Sequence, residues 1–183
     1  MLGLSRPAAS KCKWSDVNTL IENTISLISF DKRANGINII NNPNHDLPML
    51  WLNPQHLEQV FINIFINALD AMNAKKNRVN HCLNITKESN NGMIEIRIED
   101  TGIGMSPEIC QRACDSFFTT KEIGKGTGMG LFISYNLIAE VDGTLNLESE
   151  PDNGTTVIVK IPVKPKKAMI NNCDEDNGLA RAV

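Results

Sequence analysis

The strongest constraint in this sequence is one helix-forming stretch, PQHLEQVFINIFINALDAMNA, which begins at residue 54. Asn53 stands where an N-cap belongs, and Pro54 takes the first helical position, where a missing N–H is no loss. The apolar spacing predicts a helix over residues 54–74. At 100° per residue, Gln59, Asn63, Asn67 and Asp70 fall within an arc of about 80°. Leu57, Val60, Phe61, Ile62, Ile64, Phe65, Ile66, Leu69 and Met72 occupy the rest of the circumference. So apolar a helix belongs in an interior, where asparagine is a poor fit. It costs roughly 0.6 kcal/mol against Ala in a helix, and an unpaired buried amide costs more. Two readings of the stripe stand open. It faces solvent, or it lines a cavity where amide oxygens hold a hard cation such as magnesium and the carboxylate orients water or ligand.

The flanking segments supply partners for such a helix. Val17, Leu20, Ile21, Ile25 and Ile28 recur at helical spacing, with Asp16 or Ser15 placed to cap and Gly36 ending the element. Residues 37–40 read as a strand and NPNHDLP as a loop. Residues 82–88 and 93–100 read as two strands joined by SNNG, whose Asn-Gly pair signals a hairpin. A glycine-rich segment at 101–128 leads to a helix over 129–141, closed by Gly143, and strands at 144–150 and 155–162 surround PDNG. The order predicts an α+β fold, a two-layer sandwich with helices on one face of a mixed, mostly antiparallel sheet. Residues 1–14 read as a linker, 15–162 as one domain and 163–183 as a polar tail expected to be disordered.

Composition narrows the function. A net charge of -3 gives no footprint for nucleic acid, and Lys164, Lys166 and Lys167 read as a solvated tail. No apolar run reaches the ~20 residues needed to span a bilayer, and MLGLSRPAASKCKW lacks a signal-peptide core. The expectation is a cytosolic piece without membrane contact, whose parent protein could be anchored elsewhere. The five cysteines are scattered. Cys110 and Cys114 share a possible helix face without a CxxC or His partner, so they read as reduced thiols.

Two further segments carry chemistry. In MIEIRIEDTGIGM, Asp100 is in phase with Ile94, Ile96 and Ile98, so a carboxylate is aimed inward where the strand ends. Such a buried charge needs dedicated partners, and the exocyclic amine of adenine is a fitting donor. Gly102 and Gly104 would let the backbone pass close to a flat ring. In SFFTTKEIGKGTGMGL, glycines at 124, 126, 128 and 130 would bring N–H groups to an anion at the start of a helix, with Lys121 and Lys125 available to neutralise phosphate. Neither the Walker pattern nor GxGxxG is present. Taken singly, each segment also reads as an ordinary turn or linker.

Together, NIFINALDA, DTGIGM, FFTTK and GKGTGMGL resemble the N box, first glycine box, F box and second glycine box of sensor histidine kinases, over about residues 15–162. NALDA and FFTTK look closest to the nitrogen-regulatory subgroup. The resemblance implies a Bergerat fold that binds ATP and Mg2+ under a lid at about residues 103–127. It implies that Asn67 is a magnesium ligand, that Asn63 lines the phosphate side, and that Asp70 lies near the nucleotide. Asp100 would bind the adenine amine, Gly102 and Gly104 would shape the adenine pocket, and Thr156 would support the base through water. Thr120, Lys121 and Lys125 would belong to the lid, and Gly126, Gly128, Gly130 and Leu131 would line the phosphates. Asn63 and Lys121 would serve catalysis. Where hydrolytic relatives typically carry Glu, Asn63 cannot act as a base, which favours transfer to a protein.

The family's phosphoacceptor histidine lies on a helix of a dimerisation domain. His45, in a proline-flanked loop, is a poor candidate, and His56 and His81 read as structural or surface residues. LSRP resembles the exit from a dimerisation helix, so the acceptor is expected on a separate domain, with a response regulator receiver domain as the indirect partner. The alternative is a nucleotide-binding module without transfer activity, from a truncated kinase.

Overall fold

The computed structural model describes residues 12–75, 80–121 and 126–163. Most of the expected linker, the expected tail from 164 onward, and Lys125 lie outside them.

Helix α2 (Pro54–Ala74) has the expected bounds, with the Asn53 side chain accepting from the Gln55 N–H. Its apolar face is the centre of the core. Val60, Phe61, Phe65, Leu69 and Met72 have no exposed surface, and Phe61 and Phe65 stack at 6.2 Å between ring centroids. Helices α1 (Val17–Ile28) and α4 (Gly130–Ala139) pack against α2, which lies across the main sheet.

That sheet has five strands in the order β2 (Asn38–Asn41), β4 (Cys82–Asn90), β5 (Met93–Asp100), β7 (Gly154–Pro162) and β6 (Thr144–Glu150). Only β2 and β4 are parallel. Helix α2 lies within the long crossover that such a parallel pair requires. The β4–β5 hairpin turns at Asn91 and Gly92, both at positive φ (52° and 75°), as a type I′ turn needs. Leu83 and Ile85, Ile94, Ile96 and Ile98, and Val157, Val159 and Ile161 fill the inner face.

Several boundaries differ from expectation. Helix α1 stops at Ile28, and a separate 3₁₀ turn at Lys32–Ala34, capped by Asp31, carries the chain to Gly36. Lys13–Ser15 (β1) and Leu50–Leu52 (β3) form a small antiparallel ladder, with Trp14 edge-on to Trp51 at 5.3 Å. The glycine-rich segment contains a short helix, α3 (Pro107–Arg112), capped by Ser106 and packed against β6. At the end of α4, Asp142 takes the left-handed conformation (φ 57°), not Gly143. Glycine is needed at 143 for a different reason: a Cβ there would stand 2.6 Å from the Lys160 carbonyl oxygen.

Candidate functional site

Helix α2 lays its polar residues out in a row, and each meets a different part of the fold. Asn63 comes first. Its amide donates to the Gly130 carbonyl (3.1 Å) and to Ser134 Oγ (3.1 Å), which ties it to the first turn of α4. Both amide hydrogens are thus committed, and the oxygen is the atom left for a ligand. The N-terminus of α4 has no side-chain cap, since Met129 makes none. Its first-turn N–H groups therefore remain available to an acceptor.

One turn further on, Lys121 Nζ donates to Asn67 Oδ1 (3.0 Å) and to Asp70 Oδ2 (2.6 Å). The other carboxylate oxygen, Asp70 Oδ1, accepts from Arg33 (2.9 Å). Burial alone would raise the Asp70 pKa, but the Lys121 and Arg33 hydrogen bonds outweigh it and hold the carboxyl below its ordinary range. The oxygens of Asn67 and Asp70 already share a cation, so as hard donors they fit magnesium. Among the described residues there is no cluster of three His, Cys, Asp or Glu that could hold a metal ion.

The third corner lies where β5 ends. Asp100 is 5% exposed and points inward, as its phase with Ile94, Ile96 and Ile98 predicts. Burial pushes its pKa up to about 6, against the opposing N–H bonds from Gly102 and Thr155. Gly102 passes so close to α2 that a Cβ would stand 2.7 Å from the Ala71 carbonyl carbon and from Asp100 Oδ1. Any larger residue would push the carboxylate and the helix apart. Thr101 Oγ1, beside it, accepts from Cys82 N (3.0 Å) and bonds the buried His81 ring (3.1 Å). Lys75 donates to the Thr101 and Asp152 carbonyls, pinning the same edge.

Most of the expected residues converge on this row. Gly130 faces Asn63 and begins α4, with Leu131 next to it, half-buried against the core. Gly126 lies against Thr119 and Lys121, beside the exposed Thr120. Gly128 (φ 66°) crosses Phe117 so closely that a Cβ would stand 2.5 Å from its carbonyl carbon. Gly104 (φ 63°) meets the Glu150 and Gly154 carbonyls rather than α2. Gln59 is exposed and stands apart from the row.

Thr156 is a correction. In the β5–β7 register it opposes Glu99, whereas Thr155 opposes Asp100. Successive strand residues point to opposite faces, so Thr156 lies on the outer face, away from the carboxylate. Thr155 is the threonine on the Asp100 side, with its hydroxyl bonded to Ser149 Oγ (2.9 Å), which also accepts from Met105 N. The apolar phase of Val157, Val159 and Ile161 marks position 155 and could have found it. Arg33 was also missed, and nothing local to its sequence signals the contact with Asp70. Cys110 and Cys114 lie outside the row: Cys110 bonds the Leu147 carbonyl, and burial raises the Cys114 thiol pKa.

Residues 52–165 match the family described as histidine kinase-, DNA gyrase B-, and HSP90-like ATPase. The chain belongs to this ATPase family, and it is an ATP-binding catalytic domain of the sensor histidine kinase type, with the fold of such domains. Sporulation kinase E of Bacillus subtilis (strain 168) is 32% identical over 162 residues, covering 88% of this chain and 21% of the kinase. Sensor histidine kinase ZraS of Escherichia coli (strain K12) is 28% identical over 163 residues, 89% of this chain and 34% of its own length. The chain thus spans only about a fifth to a third of these curated relatives. Among solved structures, the catalytic domain of histidine kinase ThkA superposes with a TM-score of 0.71 at 27% identity, covering 84% of this chain and 96% of that one. Full-length ShkA in complex with AMPPNP shares the fold (TM-score 0.71, 24% identity, 84% of this chain and 31% of that chain). No helix among the described residues is long and apolar enough to cross a membrane.

Proposed function

We propose that this domain transfers the γ-phosphate of ATP to a histidine on a separate dimerisation domain, from which a response regulator receiver domain then takes it. The observation that carries the reading is the polarity of the row on α2. A buried carboxylate at Asp100 lies at one end, and a lysine, two amides and an uncapped helix N-terminus lie toward the other. From Ala71 to Asn63 the helix rises about 12 Å at 1.5 Å per residue, enough to separate a base from its phosphates.

Adenine would lie over Gly102 with its amino group donating to Asp100, and Thr155, not Thr156, stands on the same side of the sheet. Asn67 would hold magnesium with Asp70 close by, and the bound ion would neutralise charge on the phosphates. Lys121 and the α4 N-terminus, approached through Gly126, Gly128 and Gly130, would stabilise the charge that builds on the transferred group. Asn63, with both amide hydrogens committed to α4, would present its oxygen as an acceptor to a cation or water on the phosphate side of the cleft. Being an amide, it cannot take a proton from water, so hydrolysis lacks a base at this position. The protein's contribution is positioning and charge, while the nucleophile is an imidazole supplied by the partner. The reading places the domain in the cytoplasm and draws on the likeness of NALDA and FFTTK to nitrogen-regulatory sensor kinases. ZraS is by its name a sensor histidine kinase, and sporulation kinase E by its name a kinase.

The test is phosphotransfer. With γ-labelled ATP and magnesium, the chain alone should stay unlabelled, and an added histidine-bearing dimerisation domain should gain acid-labile label. Rapid phosphate release without an acceptor would overturn the reading in favour of a hydrolase, and ATP binding without transfer to any acceptor would leave only a binding module.

A further inference from the structure

We propose that Arg33, which lies outside all four boxes, is a positioning residue for the phosphate end of the site: it fixes the Asp70 carboxylate so that Lys121 is held beside Asn67 yet remains available to an anion. The inference rests on the reading above and adds to it a residue and a division of labour.

Arg33 is held more firmly than a surface arginine needs to be. Its Nε and Nη2 donate to the two oxygens of Asp31 (3.0 and 2.7 Å), a bidentate fork. Its backbone N–H also donates to Asp31 (2.8 Å), and its carbonyl accepts from Asn73 on α2 (2.8 Å). With backbone and guanidinium both anchored, the remaining nitrogen, Nη1, is aimed at Asp70 Oδ1 at 2.9 Å. Exposed ion pairs contribute little to stability, and the Arg33 side chain is 39% exposed, so stability alone is a weak reason for this arrangement.

Asp31, Arg33, Asp70 and Lys121 form a line of alternating charge that ends on the Lys121 ammonium. Arg33 takes one carboxylate oxygen and leaves the other for Lys121. That fixes the rotation of the carboxylate, and the ammonium is placed where Asn67 Oδ1 also reaches it. Arg33 also shares the charge of Asp70, so Lys121 is only partly neutralised. Without Arg33 the carboxylate would be free to turn both oxygens toward Lys121 and would neutralise the ammonium more fully, leaving it less available to phosphate. Both effects act on the phosphates. Neither reaches Asp100, which makes its bonds to Gly102 and Thr155.

The experiment is a double-mutant cycle on the full chain, reading ATP affinity with magnesium and adenosine affinity side by side. Arg33→Gln should weaken ATP about fivefold to tenfold and leave adenosine within about twofold, the range expected of contacting charged residues. In a Lys121→Ala background the same substitution should change ATP binding less than about twofold, because its effect passes through Lys121. Asp31→Asn, which loosens the anchor and keeps the guanidinium, should give a smaller loss of the same kind. Equal losses for ATP and adenosine would overturn the proposal, as would additivity of Arg33→Gln and Lys121→Ala. A wild-type chain that binds no ATP would instead refute the proposed function, so the two failures are distinguishable.

Discussion

Asp100→Asn tests the chemistry of the site through stability. Asp100 is buried, and its pKa stands at about 6 against an ordinary value of 3.8. That interval corresponds to about 3 kcal/mol between the protonated and ionised folded forms. The sign follows from proton counting. Between pH 3.8 and 6 the folded carboxyl binds more protons than the unfolded one, so this group makes the fold less stable as pH rises through that window. Below it the penalty is absent, and above pH 6 it is complete. Asp31, whose pKa is lowered to about 2, and Asp70 and Glu95, also lowered, act in the opposite sense. They are common to both proteins and cancel in the difference. Urea unfolding across pH 4 to 8, followed by circular dichroism, should therefore show Asp100→Asn gaining on the wild type by about 2.5 kcal/mol over that range. The ionised form is also the better acceptor for an adenine amine, so adenosine affinity of the wild type should improve as pH rises through about 6. The variant should show no such rise. A difference in unfolding free energy that does not change with pH would refute the assignment of a buried carboxylate that ionises at a cost at this position.

Three further outcomes are expected. Asn67→Ala should lose magnesium-dependent ATP binding by calorimetry with an unchanged circular dichroism spectrum, because the amide oxygen now on Lys121 is at the proposed cation seat. GTP at concentrations comparable to ATP should fail to displace it in a competition assay. Guanine presents a carbonyl where Asp100 needs a donor, and an unpaired buried group discriminates strongly. Phe65→Ala, at a site with 0% exposure, should lower the unfolding free energy in urea by about 3–5 kcal/mol.

What the sequence made legible was local or periodic. Helix α2 could be bounded because Asn53 and Pro54 mark its start and its apolar pattern is long. The β4–β5 hairpin could be placed because Asn91 and Gly92 allow the positive φ of its turn. Asp100 followed from strand phase, and the same rule applied to Val157, Val159 and Ile161 would have chosen Thr155 over Thr156. The cap that starts α3, Ser106 followed by Pro107, was present too, but the surrounding glycines masked it. Other features depend on distant partners. Strands β1 and β3 are three residues each and exist only as each other's partner. The parallel pairing of β2 with β4 joins Asn38 to Cys82 across the whole of α2, which nothing local to β2 reports. Arg33 contacts Asp70 across 37 positions of sequence, which no motif reports.

The register of β5 with β7 has an evolutionary consequence. The chain leaves β5 at Asp100 and comes back to the same point at Thr155, its direct partner in β7, so the segment between, which includes β6, is an excursion from this seam with both ends fixed together. The seam is closed by glycines: a side chain at Gly154 would collide with the Asp100 carbonyl, and one at Gly104 with the Glu150 carbonyl. Once the ends are fixed, each doubling of a flexible loop adds only about 0.6 kcal/mol of closure entropy. Insertions and deletions between α3 and α4 are therefore thermodynamically cheap, while a single methyl group at the seam is not. Variation in this architecture should accumulate as length inside the excursion and be nearly absent where its two ends meet.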